Sequence, residues 1–388
     1  MVARLRGLLS ALLVAGMVFA ARPASCEEPT VQTPEPPRIE VVFVLDTTGS
    51  MESLIGGAKQ KIWSIANQIM LGKPSPRLRI GLVGYRDIGD EYVTKVFDLT
   101  DDLDGVFRNL MGFEAAGGGD GPEHVNKALH DGAKSMTWTN DKKTLKIMFL
   151  VGDAPPHVDY ADGFDYKVTV LEAATSDIVV HTIRCGNDVE TETYWKDIAR
   201  RGEGTYTSIE QSGGMTAIST PMDDELAKLG RELDGTFVGV GSGGAKAARE
   251  LKDSAEMAES AAPSAAADRA ECKARAGMTA SGDLIDDLSS GKVKLEQVKT
   301  EELPENMKPM SAEERQKYLD ELHAKREEIK KKIADVGAKR DAFIKDKLKQ
   351  SGGKGDSFDQ IVMQTIFDLA KKKGITYGQA EETPGTEK

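Results

Sequence analysis

The chain has 388 residues and a formal net charge of −12, with 29 % charged and 6 % aromatic residues. That length leaves room for two or three domains with buried cores. The acidic balance, with no Lys/Arg patch interleaved with aromatics, argues against a nucleic-acid partner.

Arg4 and Arg6 precede the apolar run LLSALLVAGMVFAA, and small residues follow. This is the pattern of a secretory signal over residues 1–26, and it predicts export to the periplasm, cell envelope or medium. Val18-Phe19-Ala20 fits one cleavage site and Ala24-Ser25-Cys26 a second. Pro23-Ala24-Ser25-Cys26 also resembles a lipobox, which makes Cys26 a candidate for acylation, although Pro23 stands where an aliphatic residue is wanted. Membrane attachment is expected only through such a lipid, because no later segment is long and apolar enough to span a bilayer. Residues 27–38 (EEPTVQTPEPPR) read as a Pro-rich linker. Two further thiols remain, Cys185 at a strand end and Cys272 in an Ala-rich segment. Nothing local favours their pairing, and neither has metal-ligand spacing.

Strands and helices alternate over 39–235. IEVVFVLD is a near-continuous apolar run, as a parallel strand covered on both faces requires. A helix follows with Leu54, Ile62, Ile65 and Ile69 on one face, then the strands LRIGLVGYRD and, alternating like an edge, YVTKVFDLT. Helices are predicted around 101–111, 122–137, 166–176, 190–201 and 217–233. Among them lie the strands TLKIMFLVGD, IVVHTIRCG and TYTSI. The alternation predicts an α/β fold with a doubly wound, mostly parallel, Rossmann-like sheet, which binds ligands beyond the carboxyl ends of its strands.

Residues 236–310 are rich in Ala and Gly and leave two readings open: a long solvated helix interrupted near Pro263, or a flexible tether. Over 311–374 two helices are predicted, with capping boxes Ser311/Glu314 and Ser357/Gln360. The first repeats Leu322, Ile329, Val336 and Phe343 every seven residues, a coiled-coil-like face open to self-association. The second carries Phe358, Ile361, Val362, Ile366 and Leu369 in one stripe, with Gly374 as its C-cap. An antiparallel hairpin would bury both stripes, and residues 375–388 would form a flexible tail.

The sharpest motif ends the first strand. Asp46, Thr48 and Ser50 alternate in DTTGS, so in an extended segment one carboxylate and two hydroxyls would face one point. Hard oxygen donors of this kind suit Mg²⁺ or Mn²⁺ better than zinc. A capped turn is the plainer alternative. Asp120, in the loop GGGDGPE, and Asp153, closing the strand FLVGD, fall where the same sheet edge would place them. Asp87, Glu123 and His157 are candidates for the rim. Asp87 reads equally as an ion-pair partner, Glu123 as a helix-dipole charge and His157 as an exposed loop residue.

With these motifs, residues 39–235 resemble a von Willebrand factor type A domain carrying a metal-ion-dependent adhesion site. The family's first motif, Asp-x-Ser-x-Ser, corresponds to Asp46, Thr48 and Ser50, and its last to Asp153. Asp120 stands where the family more often has Thr. The resemblance implies that Mg²⁺, or else Mn²⁺ or Ca²⁺, is held by Asp46, Thr48, Ser50, Asp120 and Asp153, with one open position. A protein partner's Asp or Glu would complete the metal there, so that the protein binds rather than catalyses. Because Asp120 adds negative charge, a ligand other than a bare carboxylate is also expected. The alternative function is a metal-dependent hydrolase, or an accessory or chaperone factor for an envelope enzyme complex.

Overall fold

The computed structural model describes residues 35–119, 121–276, 282–350 and 357–378. The signal segment with Cys26, most of the linker, Asp120 and residues 379–388 lie outside the described residues. Six strands form one sheet: β1 (Arg38–Asp46), β2 (Arg77–Tyr85), β3 (Thr94–Thr100), β4 (Leu145–Gly152), β5 (Ile178–Cys185) and β6 (Glu203–Ile209). Their order is β3-β2-β1-β4-β5-β6, with β3 antiparallel and every other pair parallel. Strand order therefore reverses between β1 and β4, the point where such sheets open a crevice. All eight residues of β4 are buried, whereas the edge strand β3 is largely half-exposed, as the continuous and alternating patterns predict.

One face of the sheet is covered by α3 (Val125–Lys134), α4 (Tyr166–Thr175) and α5 (Val189–Arg201). Val42, Val44, Met148 and Leu150 pack there with Leu129, Val170 and Trp195. On the other face lie α1 (Glu52–Met70) and α2 (Leu103–Met111). Much of the remaining cover on that face is distant in sequence. It is α11 (Phe358–Lys372), whose Phe358, Val362, Met363 and Ile366 join one cluster with Phe43, Phe149, Val151 and Ile183.

That placement corrects the helical hairpin. The long helix α10 (Ala312–Gln350) sets Ile329, Ile333 and Val336 against α6 (Asp223–Asp234) and α8 (Pro263–Ala276), so the middle of its heptad face is buried within this chain, while Leu322 and Phe343 are half-buried. The stripe of α11 is spent on the sheet instead. Over 236–310 the helical reading with its interruption near Pro263 holds, but the helix after the break is buried rather than solvated. Proline ends α7 (Gly241–Ala261) and opens α8, and the small residues Ala265, Ala267 and Ala270 of α8 are almost wholly buried. Small side chains permit the approach: a Cβ on Gly230 of α6 would stand 2.9 Å from the Cβ of Ala270. A short helix, α9 (Leu284–Ser289), closes a satellite cluster with Val238, Leu303, Met307 and Leu319. The expected tail is also ordered at its start, since Ile375 is fully buried and Thr376 bridges Lys73. The Ser311/Glu314 capping box forms, with both reciprocal bonds present (2.7 and 3.2 Å). That of Ser357 does not, because its hydroxyl turns to Asp359. Gly374 takes the positive φ (79°) that follows the end of α11.

Where α11 meets the sheet, His181 of β5 is buried and its Nδ1 accepts from the Thr205 amide (3.1 Å). Burial, and then the Lys372 charge on α11, lower its pKa to about 4. The native state therefore holds neutral imidazole. Its contribution to stability is complete above the ordinary value of 6.5 and is lost as pH falls towards 4. His181→Asn should remove this term. The gap in unfolding free energy between parent and variant should narrow by about 2–3 kcal/mol from pH 7 to pH 4. Urea melts at the two pH values measure it, and a constant gap would refute the assignment.

Candidate metal centre

At the carboxyl end of β1 the Asp46 side chain is completely buried. Its Oδ1 accepts from the Thr48 amide (2.9 Å) and the Thr48 hydroxyl (2.6 Å), and that hydroxyl lies 3.3 Å from Ser50 Oγ. The three groups do not converge by strand alternation, as the extended reading supposed. β1 ends at Asp46 and a 3₁₀ turn occupies Gly49–Met51. The chain turns because the Asp46 carboxylate captures the amide two residues on.

Asp153 arrives from the neighbouring strand. Leu45 pairs with Val151, so Gly152 stands beside Asp46 and Asp153 follows at the rim. Gly152 has to be small: a Cβ there would lie 2.4 Å from the Tyr85 hydroxyl and 3.1 Å from Asp46 Oδ2. The amide of Gln211, after β6, donates to Asp153 Oδ2 (2.6 Å) and to the Ser50 carbonyl (3.2 Å). Gln211 thus fixes Asp153 against the turn. No sequence signal marks it, since it meets Ser50 only through the fold.

These groups surround a cleft of about 550 Å³, with Thr48, Ser50, Glu123 and Asp153 in its wall. Two buried polar atoms nearby, Asp46 Oδ2 and the Tyr85 hydroxyl, have no hydrogen-bond partner among the described residues. Burial, and then the Asp153 charge, push the Asp46 carboxyl up to about 7. Burial, and then the Asp46 charge, push the Tyr85 hydroxyl up as well. A hard divalent cation against Asp46 would favour its ionised form. Among the described residues no three of His, Cys, Asp and Glu gather as metal ligands; the oxygen groups at the cleft are the Asp46 and Asp153 carboxylates with the Thr48 and Ser50 hydroxyls. An oxygen set of this kind, with a buried orphan acceptor, fits Mg²⁺ or Mn²⁺.

Asp120 lies outside the described residues, but Gly119 and Gly121 on either side of it line the cleft. The loop's approach depends on Gly117 and Gly118, which have φ of 77° and 76°. The Gly118 amide donates to Asp90 (3.1 Å), and a Cβ on Gly118 would crowd Thr48 and Glu123 at 3.0 Å.

The three rim candidates part company. Glu123 keeps its carboxylate in the cleft wall. Its amide donates to Pro155 (2.9 Å), and its carbonyl accepts from His157 (3.0 Å). It precedes α3 rather than forming its first turn, which His124 caps through Nδ1. Asp87 accepts from the Tyr160 hydroxyl (2.6 Å) and lies 3.5 Å from His157 Nε2, so it braces the loop after β4. His157 is neither an exposed loop residue nor part of the cleft lining. It stacks on Tyr160 with ring centroids 4.2 Å apart. Sequence reading missed Asp188 and Glu190, which line the cleft from the N-cap and first turn of α5.

The von Willebrand factor A domain family matches residues 40–221. Over 135 residues the chain is 27 % identical to the ariadne-like RING finger protein R811 of Acanthamoeba polyphaga mimivirus, with 34 % of this chain and 13 % of that protein covered. The match thus spans only a small part of that relative. Among solved structures, BatB from Bacteroides thetaiotaomicron is similar at 16 % identity, covering 44 % of this chain and 90 % of that one, with a TM-score of 0.34. The SpRpn10 VWA domain is similar at 13 % identity, covering 46 % and 91 %, again with a TM-score of 0.34. Proximal thread matrix protein 1 from the mussel byssus, with a zinc-occupied MIDAS motif, is similar at 13 % identity, covering 45 % and 42 %, with a TM-score of 0.34. Sheet order, the Asp46 turn at the switch point and the matched segment lead to one assignment: this chain carries a von Willebrand factor A domain over residues 40–221.

Proposed function

We propose that this is an exported, non-catalytic binding protein whose A domain holds a divalent cation, Mg²⁺ or Mn²⁺, at the cleft and presents it to a protein partner. The observation that carries the reading is the buried Asp46 Oδ2, without a hydrogen-bond donor among the described residues, beneath a cleft walled by Thr48, Ser50 and Asp153. Thr48 and Ser50 would supply hydroxyl oxygens, Asp46 and Asp153 would balance the charge, and Gln211 would hold Asp153 in place. The bound cation would polarise an oxygen donated by the partner at its open position. Export rests on the basic and apolar pattern of the first 26 residues. Among the described residues no helix is long and apolar enough to cross a membrane, so envelope attachment would fall to Cys26 or to a partner.

Metal addition is the direct test. With Mg²⁺ at ~100 times its Kd, the native state should gain about 2–3 kcal/mol. A chelator should remove that gain, and Asp46→Ala should abolish the response without needing the chelator. A melt that ignores Mg²⁺, Mn²⁺ and Ca²⁺ in the parent would end the metal reading.

A further inference from the structure

The described residues that line the cleft include no Lys, Arg or His. Glu123, Asp153, Asp188 and Glu190 line it, and Asp46 lies beneath, making five carboxylates. A divalent cation would offset two of those charges and leave the cleft negative. Of the nearby guanidinium groups, Arg184 lies beside Asp188 and offsets one further charge, which still leaves the cleft negative. Arg86 donates to the Thr47 and Glu114 carbonyls, and Arg184 to the Asp188 carbonyl and Glu192. Asp188 is held ionised by the Thr191 amide and hydroxyl, which keep its carboxyl below the usual range. Glu190 is exposed.

The same edge carries apolar surface. The three most exposed large apolar side chains among the described residues are Val189 (74 %), Val158 (60 %) and Ile88 (56 %). Val189 opens α5 just after β5, and Val158 and Ile88 sit on the loops that follow β4 and β2, at the carboxyl edge where Asp46 ends β1. Val189 lies between the two acidic residues of the rim. Single exposed aliphatics need no explanation, but the three most exposed on one edge around an acidic cleft mark a contact surface.

We infer that the partner docks a basic segment here, with Lys or Arg on Asp188 and Glu190 and aliphatic neighbours on Val189, Val158 and Ile88. The inference rests on the binding reading of the cleft and names the partner's charge. A neutral oxygen, hydroxyl or carbonyl, then completes any bound cation, because an incoming carboxylate would meet uncompensated negative charge.

Two fluorescein-labelled peptides with one aliphatic framework, bearing either three Lys or three Glu, test this by anisotropy with the full chain in Mg²⁺. The Lys peptide should bind at least about tenfold more tightly, and that preference should shrink as NaCl rises from about 0.05 to 0.5 M. Glu190→Lys should weaken it by about fivefold or more, whereas Glu296→Lys, an equal charge change outside the cleft, should not. Tighter binding of the Glu peptide, equal loss in both variants, or no Lys-peptide binding up to ~1 mM would overturn the inference. A missing Mg²⁺ melting shift with the Lys preference retained would overturn the metal reading and support this one.

Discussion

A chain cut after Gly235 should lose its cooperative unfolding transition, although it would keep all six strands and every residue of the matched A domain. The reason lies on the face of the sheet that carries α1. Phe358 packs on Phe43, with ring centroids 6.1 Å apart, and Val362, Met363, Ile366 and Ile375 complete the cover. Burial of five such side chains contributes roughly 7–15 kcal/mol, an upper estimate at 1.5–3 kcal/mol each. That equals the whole net stability of a typical domain, about 5–15 kcal/mol. The cut would also remove α8, whose Ala266 and Cys272 belong to the same cluster as α1. The shortened chain should bind a hydrophobic dye, keep much of its far-UV signal and melt without a sharp midpoint. A sharp urea transition near that of the full chain would show that α8 and α11 only decorate the domain.

The strands were legible because a parallel strand covered on both faces is largely apolar, and β1 and β4 carry the unbroken runs VVFVL and IMFLV. The Asp46 turn was legible because its chemistry is local. The C-terminal region was not, for two physical reasons. Alanine packs by closeness rather than by bulk, so α8 shows no stripe although Ala265, Ala267 and Ala270 are core. Charged residues on α10 look solvated until their partners are placed. Arg340 is in fact buried against Asp223, Asp268 and Glu271, and Arg326 against Asp283 and Asp286. An amphipathic stripe says that a face must be buried, not which surface will cover it. That is why α11 read as half of a hairpin and stands on the sheet. Gln211, Asp188 and Glu190 belong to the candidate site only through the order β4-β5-β6, which brings the start of α5 and the segment after β6 to one edge.

Replacing Arg269 by Met should be the most damaging single substitution among these buried charges. Arg269 reaches from α8 to α2, donating from Nε and Nη2 to both oxygens of Asp104 (2.6 and 2.9 Å), and from Nη1 to Asp234 of α6 (2.7 Å). Lys273 bridges the same two carboxylates at 2.7 and 2.9 Å. Two cations and two anions balance in a site with almost no water access. Burial alone would raise the Asp104 carboxyl, but Arg269 and then Lys273 hold it below its usual range. Without Arg269, two buried carboxylates would share one ammonium. Breaking a buried pair from one side costs about 3–5 kcal/mol, because the stranded charge stays desolvated. Urea unfolding of the full chain should therefore show a loss of that size for Arg269→Met. Replacing all four together, with Asp104→Asn, Asp234→Asn, Arg269→Met and Lys273→Met, should cost less than the single change. An uncharged set carries only the smaller desolvation cost of two amides, whereas a half-broken one leaves a whole charge desolvated. A single variant within about 1 kcal/mol of the parent would mean that water reaches the cluster and that α8 is held by packing alone.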